Sequence, residues 1–207
     1  MAQKRDRELT EQKILDAVSR IVLKEGIKKL GVNSIAREAG IDKVLIYRYF
    51  GGFAELFKVY IKKQDFFANL KEYLKVDLVN ARPEEMAEAA KKIHLLHLNY
   101  ARTNKEFQEV LLWELNNNDE ITEFIANERE QIGNEITKIF KEKYKNTTFD
   151  LEVISSIITC AINHLVLRAR HVDVYNGLDL QDEKSWRRFE NTIEQILEIV
   201  QNTVVKN

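Results

Sequence analysis

The stretch Ser34–Phe50, "SIAREAGIDKVLIYRYF", decides the fold prediction for this chain. It joins two short segments of helical apolar spacing through Gly40, a residue type that readily adopts the left-handed backbone of a tight turn. Asp42 follows, and its carboxylate can cap the next helix by accepting a hydrogen bond from a backbone N–H. Two short helices joined by a glycine turn predict a helix-turn-helix.

The second helix of this unit, predicted over Lys43–Phe50, is unusually aromatic and basic for its length. The apolar residues that we expect on the internal face of the unit are Ile35, Ala36, Ile41, Ile46 and Phe50. The outer face then presents Lys43, Val44, Leu45, Arg48 and the edges of Tyr47 and Tyr49. A helix that exposes cationic and aromatic side chains can lie in the major groove of DNA, with its first residues at the base edges.

This segment resembles the TetR family of transcriptional regulators. The shared pattern is "VNSIAREAGI", one capping residue and "LIYRYF", in which Gly40, Tyr47, Tyr49 and Phe50 match the recurrent glycine turn and Tyr-x-Tyr-Phe ending. The specific match covers about residues 10–60. The resemblance implies a ligand-responsive regulator, more often a repressor than an activator, that binds a palindromic operator in double-stranded DNA as a homodimer and is released by a small-molecule effector.

The resemblance also implies a set of DNA-binding residues. Bases would be contacted by Lys43, Val44 and Leu45, phosphates by Tyr47 and Tyr49, and the DNA backbone by Asn33 and Ser34. A lysine at the start of such a helix can bond guanine O6 and N7, and an apolar side chain can contact a thymine methyl. The alternatives are that the two tyrosines pack against the following helix and that Asn33 and Ser34 are solvated capping residues.

Two positions depart from the family pattern. Phe53 stands where the family usually has a phosphate-binding lysine, so we expect one charge contact fewer per half-site and a flatter salt dependence of binding. Asp42 places a carboxylate near the DNA, where it either caps the helix or accepts from a cytosine amino group. Lys4, Arg5 and Arg7 form either a compensating basic arm or a solvated tail.

Composition favours helices and a cytoplasmic location. The 207 residues include one proline and seven glycines, too few for a turn-rich β architecture. The single cysteine, Cys160, excludes an internal disulfide and fits a reducing cytosol. The charged start "MAQKRDRELTEQKIL" lacks the apolar stretch of a signal peptide. The most apolar run, "VISSIITCAINHLVL", is short for a membrane span, so we expect no membrane association.

Charge is distributed unevenly along the chain. Residues 1–62 hold 13 lysines and arginines against eight acids, a net charge of +5, and the remainder carries −6, which leaves −1 for the whole chain. A basic amino-terminal third on an acidic body suggests that only the first part meets a polyanion, although ordinary fluctuation would also give this asymmetry.

Helices are predicted along the whole chain from apolar spacing and capping residues. Their predicted bounds are about Thr10–Glu25, Val32–Ala39, Lys43–Phe50, Phe53–Lys75, a helix after Pro83, Phe107–Leu115, a capping box at Asn117 and Glu120 opening a helix to Lys145, Leu151–Val174 and Glu183–Val205. This pattern predicts an all-α fold. Residues 1–52 would form a three-helix DNA-binding head, and residues 53–207 a larger helical domain for effector binding and dimerisation.

The larger domain offers surfaces for both of these roles. The predicted helix from Leu151 is apolar on two faces, as expected for one buried on two sides, against its own core and against a partner protomer. Polar residues among apolar ones are the candidate ligand-binding residues, because an effector site needs a few polar anchors in an apolar pocket. They are His97, Tyr100, Trp113, Cys160 and His164, and the alternative for each is an ordinary core position.

Other classes of function have weaker support in the sequence. An enzyme is not expected, because no phosphate loop, nucleophile motif or paired-carboxylate pattern is present. His94 and His97, or Cys160 and His164, match no recognised zinc signature, so we predict no metal site and no cofactor. The alternatives left open are a helical interaction or ligand-binding protein with a weakened DNA-binding head and, less favoured, a metal-sensing regulator.

Overall fold

The computed structural model describes residues 2–64, 66, 68–143 and 149–204, and it confirms the all-α fold class. The helices are α1 Ala2–Glu25, α2 Val32–Ala39, α3 Val44–Phe50, α4 Phe53–Gln64, α5 Ala68–Tyr73, α6 Met86–Thr103, α7 Lys105–Asn116, α8 Glu120–Lys143, α9 Leu151–Arg168 and α10 Glu183–Val204. Shorter elements are the 3-10 turns Ile27–Lys29 and Pro83–Glu85, the π-helical turn Leu74–Leu78, and strands β1 Val174–Tyr175 and β2 Leu178–Asp179.

Helices α1, α2 and α3 form the head around a small apolar core. Its fully or nearly fully buried residues include Ile14, Val18, Ile21, Val22, Ile35, Ala36 and Ile46. Helix α1 begins at Ala2, so the predicted cap at Thr10 was wrong. The Thr10 hydroxyl lies inside the helix and donates to the Asp6 carbonyl at 2.8 Å. Residues 2–9 are therefore helical.

The turn between α2 and α3 has the conformation that the sequence predicts. Gly40 lies in the left-handed region, with φ 61° and ψ 44°. The Ile41 N–H donates to the Ala36 carbonyl at 3.0 Å, which closes the end of α2. Asp42 Oδ1 accepts from the Val44 N–H at 2.8 Å, so this carboxylate caps the first turn of α3. The turn fixes the direction in which α3 leaves α2.

Two acidic side chains, half-buried Glu106 and buried Glu109, attach α7 to the chain that precedes it. Glu109 accepts from the Ile27 N–H at 2.9 Å, and Glu106 accepts from the Ser19 hydroxyl and, at 2.8 Å, from the Tyr60 hydroxyl. Burial and the adjacent Glu106 carboxylate raise the pKa of Tyr60 above its usual value. These contacts belong to one compact unit, residues 1–66 with 105–128, and a second unit comprises residues 67–104 with 129–207.

Helix α6 is the central helix of the second unit, where it packs against α5, α9 and α10. Buried residues of these helices include Met86, Leu98, Ala101, Ile158, Ile162, Leu165, Trp186, Ile193 and Leu197. Lys91 on α6 forms an ion pair with Glu194 on α10 at 2.5 Å. Several faces of α6 are buried by these neighbouring helices.

The end of α4 and the cap of α8 differ from those predicted. Helix α4 stops at Gln64, whereas the prediction continued to Lys75. The capping box at Asn117 and Glu120 was wrong, because Asp119 Oδ1 caps α8 by accepting from the Thr122 N–H at 2.8 Å. The Asn117 side chain instead donates to the Trp113 carbonyl at the end of α7.

A hairpin replaces the end of the predicted helix over Leu151–Val174. Helix α9 ends at Arg168, and β1 pairs antiparallel with β2 through Val174 and Asp179. Asn176 and Gly177 form the connection, with φ values of 48° and 80°. Positive φ at both central residues is the requirement of the type I′ hairpin turn, which Asn-Gly satisfies well.

Candidate nucleic-acid interface and ligand cavity

Helix α3 presents one polar and aromatic face while it buries the other. Ile46 is fully buried, whereas Lys43 is exposed and Val44 and Tyr47 are 52% and 54% exposed. Leu45 and Tyr49 are half-buried. Within the described part of the chain, Lys43 has no ion-pair partner. The exposed face therefore has a free cation at its first turn and a phenol one turn later.

The start of α2 combines one exposed side chain with one that is hydrogen-bonded within the protein. Asn33 is exposed. Ser34 Oγ lies 2.8 Å from the Lys29 carbonyl oxygen and 2.9 Å from that of Gly31, so its single hydroxyl hydrogen is directed to the preceding turn. Ser34 therefore holds the turn before α2, and it can donate to a DNA phosphate only by releasing this bond.

Phe53 belongs to an aromatic cluster. Its ring is stacked on Phe57 at a centroid distance of 5.9 Å and lies 6.2 Å from the ring of Trp113. Phe57 is itself fully buried. Position 53 therefore contributes packing between α4 and α7, and it supplies no cation for DNA.

An apolar cavity lies within the second compact unit. Its volume is about 60 Å³, room for roughly five water molecules. The lining comes from α6, α8, α9 and α10 and consists of Ala87, Ala90, Ile93, His94, Ile136, Thr137, Phe140, Leu151, Ile154, Ser155, Leu197 and Val200. Its polar side chains are those of His94, Thr137 and Ser155. An apolar chamber with a few polar groups is typical of small-molecule sites.

The two histidines of α6 differ in position and in partners. His94 lines the cavity and is 5% exposed, and burial, with a contribution from nearby His97, lowers its pKa to about 4. His97 bonds to Asn163 Oδ1 of α9 at 2.8 Å, and burial lowers its pKa as well. His94 is therefore a neutral hydrogen-bonding group at the cavity wall at pH 7, and His97 cross-links two helices.

The candidate ligand residues lie apart from the cavity lining. His97 bonds to Asn163, Tyr100 accepts from the Asn104 side chain at 2.9 Å, and the Trp113 ring belongs to the other compact unit. Cys160 and His164 are exposed on α9.

Sequence reasoning did not select His94 as a ligand residue. Ala90 and Ile93 have the i, i+3 spacing of one apolar helix face, and both line the cavity. His94 directly follows Ile93 in the sequence. The only signal for its place in the cavity wall was that a polar residue among apolar ones can be the polar anchor of a ligand site.

The comparison with protein families confirms the resemblance at the helix-turn-helix. The family model for bacterial regulatory proteins, tetR family, matches residues 14–60, which contain the Gly40 turn and α3. The helix-turn-helix of this chain is of the TetR-family type. Its class is thus that of DNA-binding transcriptional regulators with a helix-turn-helix.

Similarity to other regulators of this family extends beyond the head. The HTH-type transcriptional regulator TtgW of Pseudomonas putida is 25% identical over 105 residues, 51% of this chain and 74% of the relative. The transcriptional regulator FadR from Bacillus subtilis, solved with stearoyl-CoA, has 19% identity and a TM-score of 0.60 over 90% of this chain and 96% of its own.

Thermus thermophilus FadR, a TetR family transcriptional repressor solved with lauroyl-CoA, has 19% identity and a TM-score of 0.56, covering 90% of this chain and 92% of its own. At these identities the structural likeness shows the fold. The family and these relatives are transcriptional regulators rather than enzymes. Among the described residues, no group of three or more histidines, cysteines and acids is arranged to hold a metal ion.

Proposed function

We propose that this TetR-family regulator is a ligand-responsive repressor that binds a palindromic operator as a homodimer and leaves it when a small molecule binds. One observation carries the proposal: α3 anchors itself through buried Ile46 and leaves Lys43, Val44 and Tyr47 exposed. A short helix held rigidly at its back, with a cation and apolar groups at its first turn, fits the major groove.

The contacts proposed for DNA follow from this orientation. Lys43 and Val44 would reach base edges, with Leu45 at the side of the groove, because recognition helices read bases with their first residues. Tyr47 and Tyr49 would donate to phosphates on the flanks. A further contact to the DNA backbone would come from Asn33, and Ser34 would add one by releasing its bond to the preceding turn. Asp42 is occupied as the cap of α3, which supports its structural role.

Dimerisation is proposed through the exposed apolar faces of α9 and α10. Val153 and Ile157 on α9 are 51% and 63% exposed, and Cys160 is exposed on the same stripe. On α10, Ile196 and Ile199 are 39% and 60% exposed. Clustered exposed aliphatic side chains on two helices suit a protein interface. A dimer would place two copies of α3 about 34 Å apart, one helical turn of DNA.

By length and composition alone, helix α9 is also long and apolar enough to cross a membrane. Of its 18 residues, Leu151–Arg168, 22% are buried within the protein. It packs along α6, and its other face carries the exposed stripe. We assign that stripe to a second protomer rather than to lipid, since a regulator of DNA works in the cytoplasm. The proposed partners are double-stranded DNA, a second copy and a small effector, with no membrane.

The effector is proposed to occupy the cavity of the second unit. A volume of about 60 Å³ suits a small apolar molecule or one end of a longer chain. The acyl-CoA molecules in two relatives carry such chains. In this proposal residues 1–52 bind DNA, and residues 53–207 bind the effector and form the dimer. Release requires the effector to prefer a state with lower DNA affinity.

The test is a titration of fluorescent DNA from upstream of the protein's own gene, at two salt concentrations, with random duplex as competitor. We expect specific, salt-sensitive binding, and a loss of about 5- to 150-fold in specific affinity for Lys43→Ala. The matched control is Lys105→Ala, which removes an exposed lysine from α7. No binding at low salt would favour the interaction protein with a weakened head, which the packing of Phe53 makes a concrete alternative.

The sensing half is tested with lauroyl-CoA and stearoyl-CoA as probes and free CoA as the control. We expect an acyl-CoA to lower DNA affinity, and His94→Phe, which fills part of the cavity, to reduce that response while DNA affinity without ligand is retained. Metal sensing is tested in the same assay with zinc and a chelator. Release by zinc, with no response to either acyl-CoA, would contradict the proposed effector class.

A further inference from the structure

We propose that Arg7, on the second turn of α1, contacts a DNA phosphate beside Tyr49 and replaces the cation missing at position 53. The proposal rests on the DNA-binding function described above and adds a residue to it. The guanidinium carbon of Arg7 lies 5.2 Å from the centroid of the Tyr49 ring. Tyr49 is the half-buried residue at the end of α3 that is proposed to donate to a phosphate.

Arg7 is held in place by its own helix. Because α1 begins at Ala2, Arg7 lies within regular helix rather than in a tail before it. Its Nε donates to Glu11 Oε1 one turn later at 2.7 Å, and the arginine side chain is 56% exposed. An arginine has five N–H donors, and this ion pair engages the one on Nε. Four donors therefore remain for a bound anion.

The pairing of Arg7 with Tyr49 suits phosphate binding. A guanidinium on a tyrosine ring gains a cation–π attraction, and its planar fork can bond two phosphate oxygens at once. The Tyr49 hydroxyl supplies a further donor in the same region. An arginine beside this ring thus adds one positive charge where a phosphate-facing tyrosine is expected.

Position 53 explains why such a residue is needed. The Phe53 ring is stacked on Phe57 and so is committed to packing. The first turn of α4 then offers an acid, Glu55, which is in turn paired with Lys58 at 2.9 Å. Within this described turn no cation replaces the usual lysine. Arg7 restores the lost charge from a different helix.

The experiment measures the salt dependence of DNA affinity for the full-length protein. The probes are two fluorescent duplexes of about 30 base pairs, a length that accommodates two half-sites one turn apart. One duplex comes from upstream of the gene, and the other has a random sequence. For Arg7→Gln we expect the slope of log affinity against log salt to fall by about 0.9 per half-site. At 0.1 M salt this change in slope corresponds to roughly a tenfold loss of DNA affinity per half-site. Arg7→Lys should retain the slope.

Two controls separate a phosphate contact from a structural role. Glu11→Gln breaks the same ion pair but keeps the Arg7 charge, so its slope should equal that of the wild type. Lys24→Gln removes an exposed charge 17 residues along α1, about 25 Å away, and should also leave the slope unchanged. Circular dichroism melting of each variant verifies that the fold is retained. If Arg7→Gln is unstable, Arg7→Ala removes the same charge with the best helix-forming residue, and its slope should fall by the same amount.

The outcomes are distinguishable. If the wild type binds neither duplex even at low salt, DNA binding itself fails. If the wild type binds with a salt-dependent affinity and Arg7→Gln has the same slope, Arg7 makes no phosphate contact. An equal fall in slope for Glu11→Gln or Lys24→Gln would likewise overturn the assignment, since neither removes the proposed contact.

Discussion

Acid should weaken the second compact unit because His94 is buried in its neutral form. Its pKa is about 4 in the folded protein against an ordinary 6.5, so the unfolded chain binds the proton more tightly. The free energy of unfolding is therefore undiminished by His94 above pH 6.5, and it falls as the pH is lowered from 6.5 towards 4. Between pH 8 and pH 5 this shift corresponds to about 2 kcal/mol of unfolding free energy.

The assay is urea unfolding followed by circular dichroism at pH 8 and pH 5, at one protomer concentration because dimer stability depends on it. Replacement of His94 by glutamine removes the titrating group, so the wild type should lose about 2 kcal/mol more than this variant between the two pH values. His171→Gln, at an exposed histidine, should behave as the wild type. Equal losses in His94→Gln and wild type would refute the reasoning, since His94 would then be solvated or charged when folded.

Other predictions concern the head, the turn and the dimer. Glu109→Ala should cost about 1–3 kcal/mol by leaving a buried backbone N–H unpaired, and Glu109→Gln less, as measured by urea unfolding. Gly40→Ala should lower the free energy of unfolding by about 1–2 kcal/mol, because φ is 61°. The cost is backbone strain rather than a clash, since only the far end of a lysine lies near the added methyl. Gly133→Ala in α8 should raise the free energy of unfolding by up to about 1 kcal/mol. Ile157→Asp should yield a monomer in sedimentation velocity, and Leu115→Asp, 73% exposed on α7, should leave the dimer intact; a dimeric Ile157→Asp would exclude this face.

The head could be predicted closely because its signals are local. The bounds of α2, the left-handed Gly40 and the Asp42 cap all depend on residues within one or two turns of each other. Where two local signals competed, prediction failed. Thr10 resembled a cap but lies inside a helix that starts earlier, and Asp119, not Asn117, caps α8. Choosing between such polar neighbours requires the backbone geometry that only the folded chain has.

The cavity was harder to predict because it depends on which helices meet. Apolar spacing along α6 places Ala90, Ile93 and His97 on one face, but α9 and α10 bury more than one side of this helix. His97 therefore became a cross-link to Asn163, while His94 came to the cavity wall. Spacing along one helix cannot distinguish these outcomes, since neither residue is exposed.

The hairpin after α9 was missed although its signal was in the sequence. Asn176-Gly177 is a strong type I′ turn dipeptide, but each flanking strand has only two residues. Such strands leave no alternating pattern to detect. The apolar composition before them favoured a continued helix instead.

The attachment of α7 to α1 through Glu106 and Glu109 has a consequence for synthesis of the chain. The Glu109–Ile27 hydrogen bond joins residues 82 positions apart, so the DNA-binding unit is completed only by residues that leave the ribosome after the first part of the other unit. At 5–20 residues per second, the 38 residues between Phe66 and Lys105 impose a delay of about 2–8 s. During that interval Phe57 and Tyr60 of α4 lack the α7 side chains, Trp113 and Glu106, that they contact in the folded unit.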